Sequence, residues 1–313
     1  MEIRVLTRDD FSMWSEQFLN LYKLCFNGYM SEEILKWRYL DNPCRDFLVV
    51  VAIENNKVVG NCAASPLEIM ENDSKYKAAL AMNTMVHPEY RRKGLFVTLA
   101  NKLNELVRMK GYKLIFSFPN YLSNPIYVKD LGRTVIYEIP TMILDLDNCM
   151  EKRKDTGFVN EDNTFSYKYN IETNKQKNIF IKKTSEYLKW RYANNPSSYY
   201  KNFVIKNNDE VRSYLVCKEY EDKINIVDIN TSSLNDFSLL INRVIQYAKS
   251  LNKKELTTWY PIGTEEHIFL EKLRFRNGYP VTYFSAKVFD DNKANPYYDY
   301  RNWFIQQGDD NVY

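Results

Sequence analysis

Histidine is scarce: His87 and His267 are the only two in 313 residues. An imidazole-based zinc site or a Ser-His-Asp triad would have to rest on one of them, and neither has suitable company in the sequence. The expected chemistry therefore needs no metal and little histidine. Cys25, Cys44, Cys62, Cys149 and Cys217 are odd in number and scattered. They lack metal-ligand spacing and predict free thiols in a reducing compartment. Long apolar runs are missing too, since none approaches the roughly 20 residues of a spanning helix. The opening Met1-Glu2-Ile3-Arg4, with Asp9-Asp10 behind it, does not resemble a signal peptide. The expected location is cytoplasmic, with no membrane partner. An excess of one charge is also lacking: 43 Lys and Arg face 40 Asp and Glu, for a formal net charge of +3. No long basic run accompanies it, which argues against a nucleic-acid partner.

What is present is an ordinary globular composition, 45% hydrophobic and 27% charged, with ample material for a core. The most informative feature is a repeated phrase. Leu35-Lys36-Trp37-Arg38-Tyr39-Leu40-Asp41-Asn42-Pro43 returns as Leu188-Lys189-Trp190-Arg191-Tyr192-Ala193-Asn194-Asn195-Pro196. An apolar, strand-like run and an Asn-Asn turn follow each copy, at Asn55-Asn56 and Asn207-Asn208. The chain reads as one domain duplicated. Because the phrase occurs in both halves, it reads as a packing and turn motif.

Periodicity predicts a mixed α/β (α+β) architecture with helices flanking a central sheet in each half. Ser31 and Thr184 are candidate caps for the helices that carry the phrase, and each Asn-Pro stops its helix. Gly94 opens a helix with Leu95, Leu99, Leu103 and Leu106 on one face. The expected organisation is a first domain at 1–147, a polar linker at 148–178, a second domain at 179–290 and a tail at 291–313.

The halves diverge at Val86-His87-Pro88-Glu89-Tyr90-Arg91-Arg92-Lys93-Gly94-Leu95-Phe96. Here a basic glycine turn lies between a strand and a helix. The first amides of a helix have no internal partner and sit at the positive end of its dipole. Glycine lets backbone approach a ligand closely. Such a turn suits a pyrophosphate. The matching stretch of the second half, Ile229-Asn230-Thr231-Ser232-Ser233-Leu234-Asn235-Asp236, has no glycine and no basic residue.

The first segment resembles the acyl-CoA loop of the GNAT N-acyltransferases, and the element order over 1–145 is similar to that fold. The resemblance implies acetyl-CoA or another short acyl-CoA as co-substrate. The loop residues Arg91, Arg92, Lys93, Gly94, Leu95 and Phe96 would hold its pyrophosphate. A backbone N–H at Met85 or Val86 would polarise the thioester carbonyl. The second half resembles a GNAT domain that has lost its loop. Many members carry a Tyr four residues before the glycine of the short helix, as the acid for the leaving thiolate. Here that place is Val128, and Tyr127 is the nearby candidate. Many also carry a Glu base on the strand before the loop, and here the polar residue is Asn83.

The tail Asn302-Trp303-Phe304-Ile305-Gln306-Gln307-Gly308-Asp309-Asp310 resembles the closing segment of tandem GNAT proteins from bacterial surface-polysaccharide pathways. So does Phe118-Pro119-Asn120-x-x-Ser123-x-Pro125. That resemblance implies an amino sugar, nucleotide-linked, as the small-molecule acceptor. Asn120 would serve both cofactor and acceptor, with Ser123 and Trp303 on the acceptor. Asp309 or Asp228 would bind or deprotonate the amine. The alternatives are an aminoglycoside or other small amine, an aminoacyl transfer from charged tRNA, and a CoA-binding protein without catalysis. The oligomeric state is not legible.

Overall fold

The computed structural model describes residues 1–149, 157–169, 177–290 and 294–313. Two compact units divide the chain. One is Met1–Tyr137 with Tyr283–Asp299, and the other is Glu138–Thr282 with Tyr300–Tyr313. These limits differ from a single cut at 147/148, because each unit includes chain from the other half of the sequence.

In the first unit, β1 (Glu2–Leu6), β2 (Leu48–Glu54), β3 (Lys57–Glu71) and β4 (Ser74–Val86) form an antiparallel run. The β2–β3 hairpin turns on Asn55 and Asn56, both at positive φ, as a tight two-residue turn requires. β5 (Leu114–Ser117) lies parallel to β4, and its far edge pairs antiparallel with Ser285–Val288. Both faces of the sheet are covered. Val49 and Val51 join Trp14, Phe18 and Leu21 of α1 (Phe11–Phe26) and Leu35 and Tyr39 of α2 (Glu32–Tyr39). Leu48, Val50 and Ala52 point the other way, into a cluster with Leu95, Leu99 and Leu103 of α3 (Leu95–Met109). This double burial is why the strand reads as a continuous apolar run. Ser31 caps α2 as expected, its hydroxyl accepting from the Ile34 amide. After the short α4 (Asn124–Lys129), β6 (Thr134–Asp145) carries the chain into the second unit.

The second unit has a similar order of elements. Part of the expected linker belongs to it: β7 (Asn160–Glu161) and β8 (Lys168–Tyr169) pair with β10 (Lys201–Asn207) and β11 (Glu210–Tyr220). Between them Asp162 gathers the Tyr169 hydroxyl and the Ser166 amide and hydroxyl. The rest of that linker, 150–156 and 170–176, lies outside the described residues. β9 (Ile179–Ile181) precedes α5 (Ser185–Leu188), which Thr184 caps, and the repeated phrase continues as a π-helical turn. β12 (Lys223–Asn230) is antiparallel to β11 and parallel to β13 (Glu255–Thr258). Residues Met142–Asp145 of β6 pair with β13. The helices are α6 (Leu234–Ser250) and α7 (Glu265–Lys272). His267 is buried in the first turn of α7, with its ring nitrogen 3.3 Å from the Tyr260 carbonyl. β14 (Arg276–Val288) then runs on into the first unit.

From Tyr300 onward the tail is built into the second unit, with Trp303–Asp310 buried. β15 (Trp303–Phe304) pairs with β9. Lys183 Nζ lies 3.0 Å from Asp228 and 2.9 Å from Asp309, all three buried. Tyr192 and Tyr214 donate their hydroxyls to Asp228, at 2.7 and 3.2 Å. Arg191 of the repeated phrase donates to the carbonyls of Gly308, Asp310 and Tyr313. A Cβ on Gly308 would collide with the Tyr192 hydroxyl and lie 2.9 Å from the Val227 carbonyl oxygen. Tyr192 cannot yield, because its hydroxyl is committed to Asp228.

Two outcomes are expected. Gly308→Ala should destabilise the second unit by about 1–3 kcal/mol in urea unfolding, and a wild-type midpoint would contradict this packing. Burial pushes the Asp310 carboxyl up to about 7. The folded protein thus holds a proton that the unfolded chain loses near pH 3.9. This contribution is complete below about pH 4 and is lost as the pH rises to about 7. Asp310→Asn, always neutral, should gain stability over the wild type between about pH 4 and 8. A difference that does not change with pH would refute the assignment.

Candidate active site

The site starts from an irregularity in β4. Asn61 stands opposite Met85 but Ala63 stands opposite Met82, so Asn83 and Thr84 together face Cys62. This is a β-bulge. Asn83 takes a left-handed conformation, φ 51°, which asparagine tolerates better than most residues. Three neighbours hold it. Its carbonyl accepts from Asn61 Nδ2 at 2.8 Å, its Nδ2 donates to the Tyr39 hydroxyl at 2.7 Å, and Arg38 Nη1 donates to its Oδ1 at 3.4 Å. Asn61 Oδ1 in turn accepts from the Trp14 indole. The bulge shifts the phase of the strand, so Met82 and Met85 both enter the α1-side cluster. Thr84 meets Cys62, its hydroxyl 3.5 Å from the sulfur.

Beyond the bulge, β4 has an open edge. Its ladder with β5 ends at Leu80 opposite Phe116, and the two strands separate from there. The His87 amide donates to the Val59 carbonyl, and Gly60 stands opposite Val86. Such a pair turns its own N–H and C=O away from the partner strand. Val86 therefore offers its N–H to the open edge, while Met85 turns toward β3. Of the two expected donors, Val86 turns its N–H to the open edge and Met85 does not. The Val86 carbonyl accepts from Arg91 Nε at 3.1 Å and from the Cys25 thiol, which ties the loop back onto the strand.

The loop passes through a 3-10 turn at Pro88–Tyr90 and reaches α3 with Arg92 and Gly94 at φ 61° and 76°. His87 acts only in this turn, its Nδ1 accepting from the Glu89 amide. None of the backbone amides from Arg92 to Val97 has a hydrogen-bond acceptor among the described residues. Arg91, Arg92, Lys93 and Gly94 are exposed, while Leu95 anchors the helix start in the core. A Cβ on Gly94 would meet nothing within 4 Å, so the space over these amides is open. Open amides at a helix start beside exposed basic side chains suit an anion.

Tyr127 lies on the same side as Thr84. It is buried, its ring meets Phe96 edge-on at 5.7 Å, and its hydroxyl faces Thr84. Burial raises its pKa, and Arg133 pulls it back. Arg133 is a residue that sequence reasoning missed. It is buried, with its guanidinium carbon 4.6 Å from the centre of the Tyr127 ring and Nη1 donating to Ser117 Oγ at 2.6 Å. Only its proximity to Gly132 marked it in the sequence. Asn120 is occupied locally, its Oδ1 accepting from the amides of Leu122 and Ser123 and from the Ser123 hydroxyl. Ser123 in turn uses its hydroxyl on Asn120.

The second unit closes the corresponding features with its own groups. The Asp236 carboxylate, in the first turn of α6, accepts from Arg212 Nε and Nη2 at 2.9 and 3.0 Å and from Ser213 and Ser232. The edge of β12 past its ladder is filled by the tail. Gln306 Oε1 accepts from the Ile229 amide at 3.2 Å, and its Nε2 donates to the Ile229 carbonyl at 3.0 Å. Asp228, Asp309 and Trp303 were expected at an acceptor, but they sit in this interior. Both carboxylates are committed to Lys183, and Trp303 is 3% exposed. Among the described residues no group of His, Cys, Asp or Glu could hold a metal.

Residues 2–130 match the family model of the acetyltransferase (GNAT) domain. No curated protein matches the sequence. Among solved structures, a probable N-acyltransferase from Enterococcus faecalis superposes with a TM-score of 0.72, covering 92% of this chain and 72% of its own, at 12% identity. A GCN5-related N-acetyltransferase from Anabaena variabilis gives 0.67, with 92% and 73% covered at 12% identity. Eis1 from Mycobacterium abscessus gives 0.63, with 96% and 76% covered at 13% identity. At such identities the structural likeness is one of fold. Residues 2–130 match a GNAT acetyltransferase domain, and the chain has a mixed α/β, GNAT-like fold.

Proposed function

We propose that the first unit binds an acyl-CoA and transfers its acyl group to the amine of a small molecule, with a nucleotide-linked amino sugar as the first acceptor to test. The second unit is read as a degenerate copy that binds no CoA. The observation that carries the reading is the run of six unpaired amides, Arg92–Val97, beneath the open space at Gly94.

Acyl-CoA supplies an activated thioester. The amides and basic side chains of the loop bind its pyrophosphate. The open edge of β4 takes the pantetheine arm, and the Val86 N–H donates to the thioester oxygen, where negative charge builds during attack. The amine nitrogen forms the new C–N bond as the C–S bond breaks. Tyr127 gives its proton to the leaving sulfur, and the proton that the nitrogen sheds as the amide forms returns to the phenolate through water. Burial holds this phenol above its ordinary value, so it stays protonated at neutral pH. The attacking amine must first be neutral. With Asp228 and Asp309 committed to Lys183, water takes that proton. The amino-sugar acceptor rests on the resemblance of the Phe118–Pro125 segment and the tail to polysaccharide-pathway enzymes. It no longer rests on Trp303 or Asp309.

Gly94→Asp brings a negative charge to the anion site without a clash. Calorimetry should show CoA binding weakened at least about tenfold in a folded protein, and unchanged affinity would remove the reading. Tyr127→Phe should keep CoA affinity and lower kcat by about 10²-fold or more. The wild-type rate should rise with pH as the acceptor amine deprotonates, without an alkaline fall below about pH 10. Wild-type kcat in Tyr127→Phe would assign the proton to another donor. Mass spectrometry of an amino-sugar panel identifies the acceptor, and absence of any acylated sugar would reject that class.

A further inference from the structure

The described residues include three buried cations whose surroundings are very different. Lys183 has two carboxylates, and Arg191 has three backbone carbonyls. Arg133 is 4% exposed and has neither. Its hydrogen-bond partner is Ser117 Oγ, and Ser117 is itself engaged with Ser285. Its Nε is fully buried without a partner, and Nη2 has none among the described residues. Among the described residues no acidic group lies within ion-pair distance of it; the ionisable groups that act on it are Tyr127 and Cys62. A buried guanidinium left this way is costly, and the face of Tyr127 offsets only part of that cost.

Its position gives the cost a purpose. Ser117 is the first residue of β5 past the ladder with β4, and Tyr127 reaches Thr84 on β4. Arg133 thus lies at the inner end of the opening between the strands. The anion site at α3 is at the outer end, past Val86. From Val86, whose N–H is assigned the thioester, two residue steps of β4, about 7 Å, lead inward to Thr84, where Tyr127 and the Arg133 stacked on it are met. A cofactor with its pyrophosphate at the outer end presents its acyl group at the inner one. The unspent Nε and Nη2 form the side-on edge that grips a carboxylate by two parallel bonds. Arg212 uses this same edge on Asp236.

We propose, resting on the acyl-CoA reading above, that Arg133 selects acyl groups bearing a free terminal carboxylate, the half-thioesters of short dicarboxylic acids. That carboxylate is carried unchanged into the product. The amine nitrogen bonds to the thioester carbon, sulfur leaves, and the distal carboxylate remains on Arg133 throughout.

The test measures binding and turnover of CoA, acetyl-CoA, butyryl-CoA and succinyl-CoA with the wild type, Arg133→Met and Arg133→Lys. The wild type should prefer succinyl-CoA over butyryl-CoA by about tenfold or more in kcat/KM. Arg133→Met should reverse that preference, and Arg133→Lys, which keeps charge but not the fork, should weaken it. Equal use of both by the wild type overturns the inference whatever the variants do. An equal loss on every acyl-CoA in Arg133→Met also overturns it and assigns the guanidinium to the shared leaving thiolate. CoA binding without acyl preference leaves the loop assignment standing and removes this inference alone. No binding of CoA removes both.

Discussion

A single asparagine in a left-handed conformation sets the geometry on which the rest depends. Asn83 at φ 51° breaks the alternation of β4. Such a conformation persists only when its surroundings over-determine it. Here Trp14 fixes Asn61, Asn61 fixes the Asn83 backbone, and Tyr39 and Arg38 fix its side chain. The Trp-Arg-Tyr phrase therefore does more than pack a helix. In the first unit its Arg and Tyr clamp the bulge. In the second, its Tyr holds Asp228 and its Arg holds the C-terminal tail.

Backbone polar groups must be satisfied somewhere, and the two units meet that demand in opposite ways. The second uses its own side chains: Asp236 stands at the head of α6, and Gln306 pairs both polar groups of Ile229. The first leaves the amides of Arg92–Val97 to solvent or a ligand. An open helix start and a closed interior thus arise on similar frames, differing in whether the protein supplies the missing partner. Carboxylate and carboxamide in the second unit stand where the first leaves room for an anion and an extended chain.

Much of this was legible in the sequence. The repeat, the two cap residues, the Asn-Asn turn, the loop and the helix behind Gly94 all depend on local periodicity and turn chemistry, and each lies where those rules put it. What was not legible depends on long-range pairing. Asp228 and Asp309 read as free carboxylates because nothing nearby in sequence announces Lys183 as their shared partner. Trp303 read as a ligand platform, whereas its aromatic neighbourhood serves packing. Arg133 carried no signal beyond its place next to Gly132, since its surroundings come from Ser117 and Tyr127 together. His267 followed the same logic, being polar in sequence and buried in the fold.

The strand at Ser285–Val288 has a consequence in time. It covers the edge of β5, and Ser117 meets Ser285 across 168 positions of sequence. At synthesis rates of about 5–20 residues per second, roughly 10–30 s separate the emergence of the two strands. During that interval the nascent first unit carries an unpaired edge of Leu114-Ile115-Phe116, an apolar surface of the kind that recruits other strands. Until that strand arrives the edge of β5 is open to pairing with other strands, so the order of translation sets how long the newborn chain is exposed there.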